Sequence, residues 1–88
     1  MAHVILFEHA NFRGAHKHVF QAEANLNADG DDFFNDKTSS IVVLDGRWTF
    51  FVDSNFVGEV GGILGPGFYS FVENVGIPND RISSLRPV

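Results

Sequence analysis

Two six-residue stretches concentrate the oxygen chemistry of this chain: Asn35-Asp36-Lys37-Thr38-Ser39-Ser40 and Asn79-Asp80-Arg81-Ile82-Ser83-Ser84. Each has a basic residue third and an apolar or β-branched residue fourth. Asp36 and Asp80 each offer a carboxylate, and Ser39 and Ser83 offer hydroxyls. A turn in each segment exposes the backbone carbonyls of Lys37 and Arg81. Such groups suit a hard cation, because Ca²⁺ gathers six to eight oxygens. The plainer reading makes both segments simple turns whose serines cap local backbone groups. Thr38 stands where the second segment has Ile82, which loosens packing under the first loop but removes no ligand.

Other chemistry is weaker on the page. Asn25-Leu26-Asn27-Ala28-Asp29-Gly30, with Asp36 in twelfth place, imitates an EF-hand loop. Its first residue is Asn, its eighth is Asp32, and its flanks are strand-like, so a polar surface loop explains it better. His16 and His18 are two apart and share one strand face, the spacing of a conceivable transition-metal site. With no cysteine and no third fixed partner, exposed surface histidines are the better reading, as for His3 and His9. No nucleophile elbow or triad order appears. Gly61-Gly62 and Gly65-Pro66-Gly67 are turn-makers, since no Lys-Ser/Thr and no helix follows them. The sequence therefore reads as a non-enzyme.

The elements that position these segments come from a short chain. Eighty-eight residues allow one small domain with a modest core, and ten Phe supply large side chains for it. Cysteine is absent, which excludes disulfides, thiolate metal sites and Cys nucleophiles. A net charge of −5 with six Lys and Arg argues against nucleic acid and anionic membranes as partners. No apolar run approaches membrane length and no targeting signal is visible, which leaves the compartment open. A monomer is expected.

Internal repetition organises the rest. Moving the chain by 44, from 35 to 79, superposes the two polar segments. The same shift lays Phe7 on Phe51, Asn11 on Asn55, Phe12 on Phe56 and Gly14 on Gly58. Short β-rich runs bounded by Gly, Asn, Asp or Pro fill both halves: Val4 to Phe7, a run ending at Val19-Phe20, Ile41 to Leu44, Trp48 to Val52, Ile63-Leu64, Phe68 to Val72, and Leu85 to Val88. No segment keeps a helical period. The regions Ala22 to Ala28 and Phe71 to Gly76 have room for one helical turn each. Asp45-Gly46 joins the halves as a hairpin or a corner. Many short strands with abundant turns indicate an all-β sandwich or barrel.

In the early cluster, Phe7 and Phe12 are five apart, with Gly14 two further on. Phe51, Phe56 and Gly58 repeat this. A plain strand would send residues five apart to opposite faces. The spacing fits a chain that folds back between them, with the glycine at positive φ. This pattern resembles the folded hairpin of the βγ-crystallin Greek key, and the Asn-Asp segments resemble that superfamily's calcium motif. Both signatures occur twice, in order, over the whole chain. The chain looks most like the microbial single-domain calcium-binding members.

The resemblance implies one domain over 1–88, with Greek key 1 at about 1–44 and Greek key 2 at about 45–88. These keys would pack as a sandwich of two four-stranded antiparallel sheets, with Trp48 in the core. It implies two Ca²⁺ ions bound by Glu8, Asp36, Lys37, Ser39, Val52, Asp80, Arg81 and Ser83. Each ion would take a carbonyl from one motif, Lys37 or Arg81, and a hydroxyl from the other. Glu8 and Val52 would add carbonyls. Asn35 and Asn79 would shape the turns, while Ser40 and Ser84 would bond the folded hairpins. The function expected is a non-enzymatic calcium-binding module whose ions stabilise the fold. The alternative is an interaction module on the same scaffold, resembling a protease inhibitor, a toxin or a glycan binder. The absence of the cysteine-stapled loops used by such relatives weighs against it.

Overall fold

Strict alternation writes the first strand. In His3–His9 (β1), Val4 and Leu6 are buried while the residues between them face outward. The computed structural model describes residues 2–26 and 37–88. The strands that follow are Arg13–Val19 (β2), Ser40–Asp45 (β3), Trp48–Asp53 (β4), Val57–Leu64 (β5), Gly67–Tyr69 (β6) and Ser84–Pro87 (β7). One 3₁₀ turn at Val72–Val75 lies between β6 and β7, inside the stretch expected to hold a helical turn. Residues 22–26 hold none, and the remainder of Ala22–Ala28 lies outside the described residues. No helix among the described residues is long and apolar enough to cross a membrane.

The strands form two antiparallel sheets, ordered β2-β1-β3-β6 and β5-β4-β7. Four and three strands differ from the expected four and four. The missing strand is reduced to a single bridge, Glu23 to Leu85, beside β7. The bridge is held by reciprocal backbone bonds of 2.8 and 3.1 Å, and Leu26 N–H continues the line to the Ser83 carbonyl at 2.9 Å. Its sequence, Gln21-Ala22-Glu23-Ala24-Asn25, is poor in strand-forming residues, which explains why pairing stops at one bridge.

The halves interlock. β6, from the second half, pairs with β3 of the first, while the Glu23 bridge from the first half pairs with β7 of the second. Asp45-Gly46 is a corner, because β3 and β4 lie in different sheets and Gly46 has φ 85°. The core between the sheets holds Val4, Leu6, Ile41, Val43, Trp48, Phe50, Leu64, Ile82 and Leu85, joined by Leu26, Val72 and Ile77 from the connections. Trp48 is fully buried as expected, and its indole N–H donates to the Asp45 carbonyl at 3.1 Å. That bond removes the penalty of burying an unpaired donor.

Candidate metal centre

The local backbone is set by the folded hairpins. Asn11 and Phe12 have φ of 61° and 62°, and Asn55 and Phe56 have 62° and 61°. Two consecutive left-handed residues reverse the chain and bring each aromatic pair together. Phe7 meets Phe12 edge-on at 5.7 Å, and Phe51 meets Phe56 in the same way at 5.7 Å. Gly14 and Gly58 follow at φ 82° and 81°. A side chain there would collide, since a Cβ would lie 2.6 Å from His9 Cδ2 or 2.7 Å from Val52 Cγ2.

Ser40 and Ser84 lock these hairpins, as the resemblance implied. Ser40 Oγ donates to the His9 carbonyl at 2.6 Å and accepts from Phe12 N–H at 3.0 Å. Ser84 Oγ donates to the Asp53 carbonyl at 2.6 Å and accepts from Phe56 N–H at 3.1 Å. The serines before them are tied to the strands next door. Ser39 N–H donates to the Phe7 carbonyl and Ser83 N–H to the Phe51 carbonyl, at 2.8 and 2.9 Å. Thus Ser39 is held beside Glu8, and Ser83 beside Val52.

The two polar segments meet across the sandwich. Ser39 Oγ donates to Asp80 Oδ1 at 3.1 Å, although 41 residues separate them. Asp80 N–H donates to the Thr38 carbonyl at 3.1 Å, and Asp80 adopts φ 59°. Around this contact lies a cavity of about 350 Å³ lined by Glu8, His9, Ala10, Lys37, Ser39, Phe71, Asn79 and Asp80. Four of the eight expected ligand residues, Glu8, Lys37, Ser39 and Asp80, therefore share one site. Arg81 and Val52 are not among its lining residues, and Asp36 lies outside the described residues. Ser83 is buried under the second hairpin, the position equivalent to Ser39.

Two features of this cavity escaped the sequence. Asn79 Oδ1 is buried without a hydrogen-bond partner, whereas its side-chain N–H donates to Asp80 Oδ2 at 3.3 Å. Asn79 backbone N–H donates to Glu73 Oε2 at 3.2 Å, so a carboxylate from the 3₁₀ turn holds the segment from outside. No local pattern links Glu73 to Asn79. The orphan amide oxygen, the Asp80 carboxylate and the Ser39 hydroxyl fit a hard oxygen-seeking cation. Among the described residues no group of three or more His, Cys, Asp or Glu could hold a metal ion. A cation here would depend largely on neutral oxygens, which Ca²⁺ accepts.

Comparisons with known proteins show the family and the fold. The family model described as Beta/Gamma crystallin matches residues 3–88. The chain is similar to the crystal structure of a betagamma-crystallin from an archaeon, at 40% identity and a TM-score of 0.86, covering 99% of this chain and 98% of that one. It is also similar to a transition-metal-ion-binding betagamma-crystallin from Methanosaeta thermophila. That match has 37% identity and a TM-score of 0.82, and covers 96% of this chain and 98% of that one. Beta/gamma crystallin domain-containing protein 1 of Homo sapiens is 38% identical over 89 residues, which is 99% of this chain but 4% of the human protein. Archaeal and human relatives at similar identity mean that the likeness does not single out a microbial subtype.

Proposed function

This chain belongs to the beta/gamma crystallin family, and on that footing we propose that it is a non-enzymatic calcium-binding module. The observation that carries the reading is the 3.1 Å contact between Ser39 Oγ and Asp80 Oδ1, which joins a hydroxyl of one motif to a carboxylate of the other. One ion would be held by the Ser39 hydroxyl, the Asp80 carboxylate and the Glu8 carbonyl, which share the cavity, and by the Arg81 carbonyl, which does not line it and follows from the expected exchange of carbonyls between motifs. Its twin would be held by Ser83, Asp36, Val52 and Lys37. Asn79 lines the cavity of the first of these, and its orphaned side-chain oxygen would be a further donor. The relative that binds transition-metal ions supports metal binding in this family, though not the choice of ion.

An ion that binds only the folded state stabilises it by mass action, by about 2.7 kcal/mol at one hundred times the dissociation constant. That is a large share of the stability of a small domain. Few formal charges per site point to moderate affinity. Calorimetry and thermal melting test the reading together. Ca²⁺ should bind at up to two equivalents and raise Tm clearly. Mg²⁺ should do much less, because it demands a smaller and stricter octahedron. Both effects should vanish in Ser39→Arg with Ser83→Arg. Equal stabilisation by the two ions, or no heat with Ca²⁺, would overturn the assignment. The runner-up, an interaction module, draws on the exposed Phe20, Leu44 and Phe68, and retention on a carbohydrate array would favour it.

A further inference from the structure

The outer face of the first sheet carries a histidine pair that the calcium reading does not use. Ile5 lies opposite His18 in the β1–β2 ladder, so alternation sends His3, His16 and His18 outward. His3 Nε2 and His18 Nδ1 stand 2.8 Å apart, although 15 residues separate them. We propose that His3 and His18 form a two-imidazole chelate for a borderline transition-metal ion, Ni²⁺ or Cu²⁺.

The spacing is the main argument. Imidazole nitrogens bind such ions at about 2.0–2.1 Å, so two ligands at a right angle stand about 2.9 Å apart. This pair is already at that separation. A tetrahedral ion would need about 3.3 Å and would force the rings apart. The rings are also held in place. His3 stacks on Phe20 at 4.3 Å and 28°, and His18 is flanked by Phe20 at 6.2 Å and His16 at 5.3 Å.

The proton balance is simple. In the present contact one ring donates and the other accepts. The ion binds both facing nitrogens from one side of the line between them, and the donor ring carries the formerly shared proton on its other nitrogen instead. Both rings stay neutral and nothing is released. Partial burial, then the neighbouring His3 and His16, hold the His18 pKa below its ordinary value, which keeps its lone pair available near neutral pH. Water completes the coordination, since this face is open to solvent and no third ligating group gathers there among the described residues. Along β1, five residues separate His3 from Glu8, about 17 Å at strand rise, so the two metal sites are independent.

The test is a titration of the full chain with Ni²⁺, followed by two-dimensional NMR and calorimetry. Expected are one saturable equivalent and paramagnetic broadening centred on His3, Ile5 and His18. Loss of either ligand turns a chelate into a single contact, so His3→Gln or His18→Gln should each weaken binding about 100-fold. Both positions are on an exposed face, and the variants should melt like the parent. Three results would overturn the proposal: no saturable binding, broadening centred on Ser39 and Asp80, or binding that survives His18→Gln because His3 and the amino terminus suffice. The first and third of these leave the Ca²⁺ reading as it stands, and the second would place Ni²⁺ in the cavity assigned to Ca²⁺.

Discussion

The two folded hairpins share a backbone, an aromatic pair, a glycine and a locking serine, and differ in what surrounds them. Their left-handed residues agree within a degree or so, and their aromatic pairs have the same separation. Their surroundings diverge. Beneath Gly14 lie the His9 ring and the Glu8 side chain, whereas Val52 and Asp53 lie beneath Gly58. Phe7 and Phe12 are flanked by His16 and Phe68. Phe51 and Phe56 are covered by the Arg86 guanidinium, 5.4 and 4.8 Å from the ring centres. The comparison separates what the turn requires from what it tolerates. Two aromatics, a glycine and one buried serine set the shape, and the charge around it is free to differ.

Removing the serines is the strongest attack on that view. Ser40→Ala and Ser84→Ala each orphan a carbonyl and an N–H inside the hairpin, a loss of about 2–3 kcal/mol in urea unfolding. The two losses should agree within about 1 kcal/mol. A large loss in one half only would mean that the hairpins are not equivalent supports. The glycines then sharpen the contrast. Alanine in the left-handed region costs about 1–2 kcal/mol at either position. Val52 is β-branched and stiff, so it yields less than the exposed His9 ring. Gly58→Ala should therefore cost about 1 kcal/mol more than Gly14→Ala, and the reverse order would refute the side-chain explanation.

The smallest effect concerns the segments below. Thr38 Oγ1 is fully buried without a partner, whereas its counterpart Ile82 is buried and apolar. Thr38→Val keeps the shape and removes the unpaired hydroxyl. It should raise the unfolding free energy by about 1 kcal/mol. A drop instead would show that the hydroxyl has a partner in solution and that the halves differ by design at this position.

The local rules were readable in the sequence because they act over few residues. Phe7, Phe12 and Gly14 announce the fold-back through spacing, and the family resemblance that this spacing carries implied Trp48 in the core, where it lies. The all-β class followed from short β-rich runs between turn residues. What was not readable depended on distance. Nothing near Glu73 says that it will hold the Asn79 backbone, and nothing near Asn79 says that its amide oxygen will be buried alone. The histidines show the same division. Spacing placed His16 and His18 on one face, but His3 joins His18 only through strand register. The weak strand at Glu23 was missed because its pairing relies on the far end of the chain, at Leu85, rather than on its own composition.

The exchange of edge segments between the two sheets has a consequence for how such a protein comes into being. Neither half is a complete object: each lacks the strip that closes its own sheet and holds the strip that closes the other's. A solitary half would present an open ladder of amides and carbonyls, and the readiest cover would be another copy of itself. Duplication and fusion of one such half would turn a concentration-dependent pairing into an intramolecular one, and the pseudo-symmetry of the present chain is what that step would leave behind.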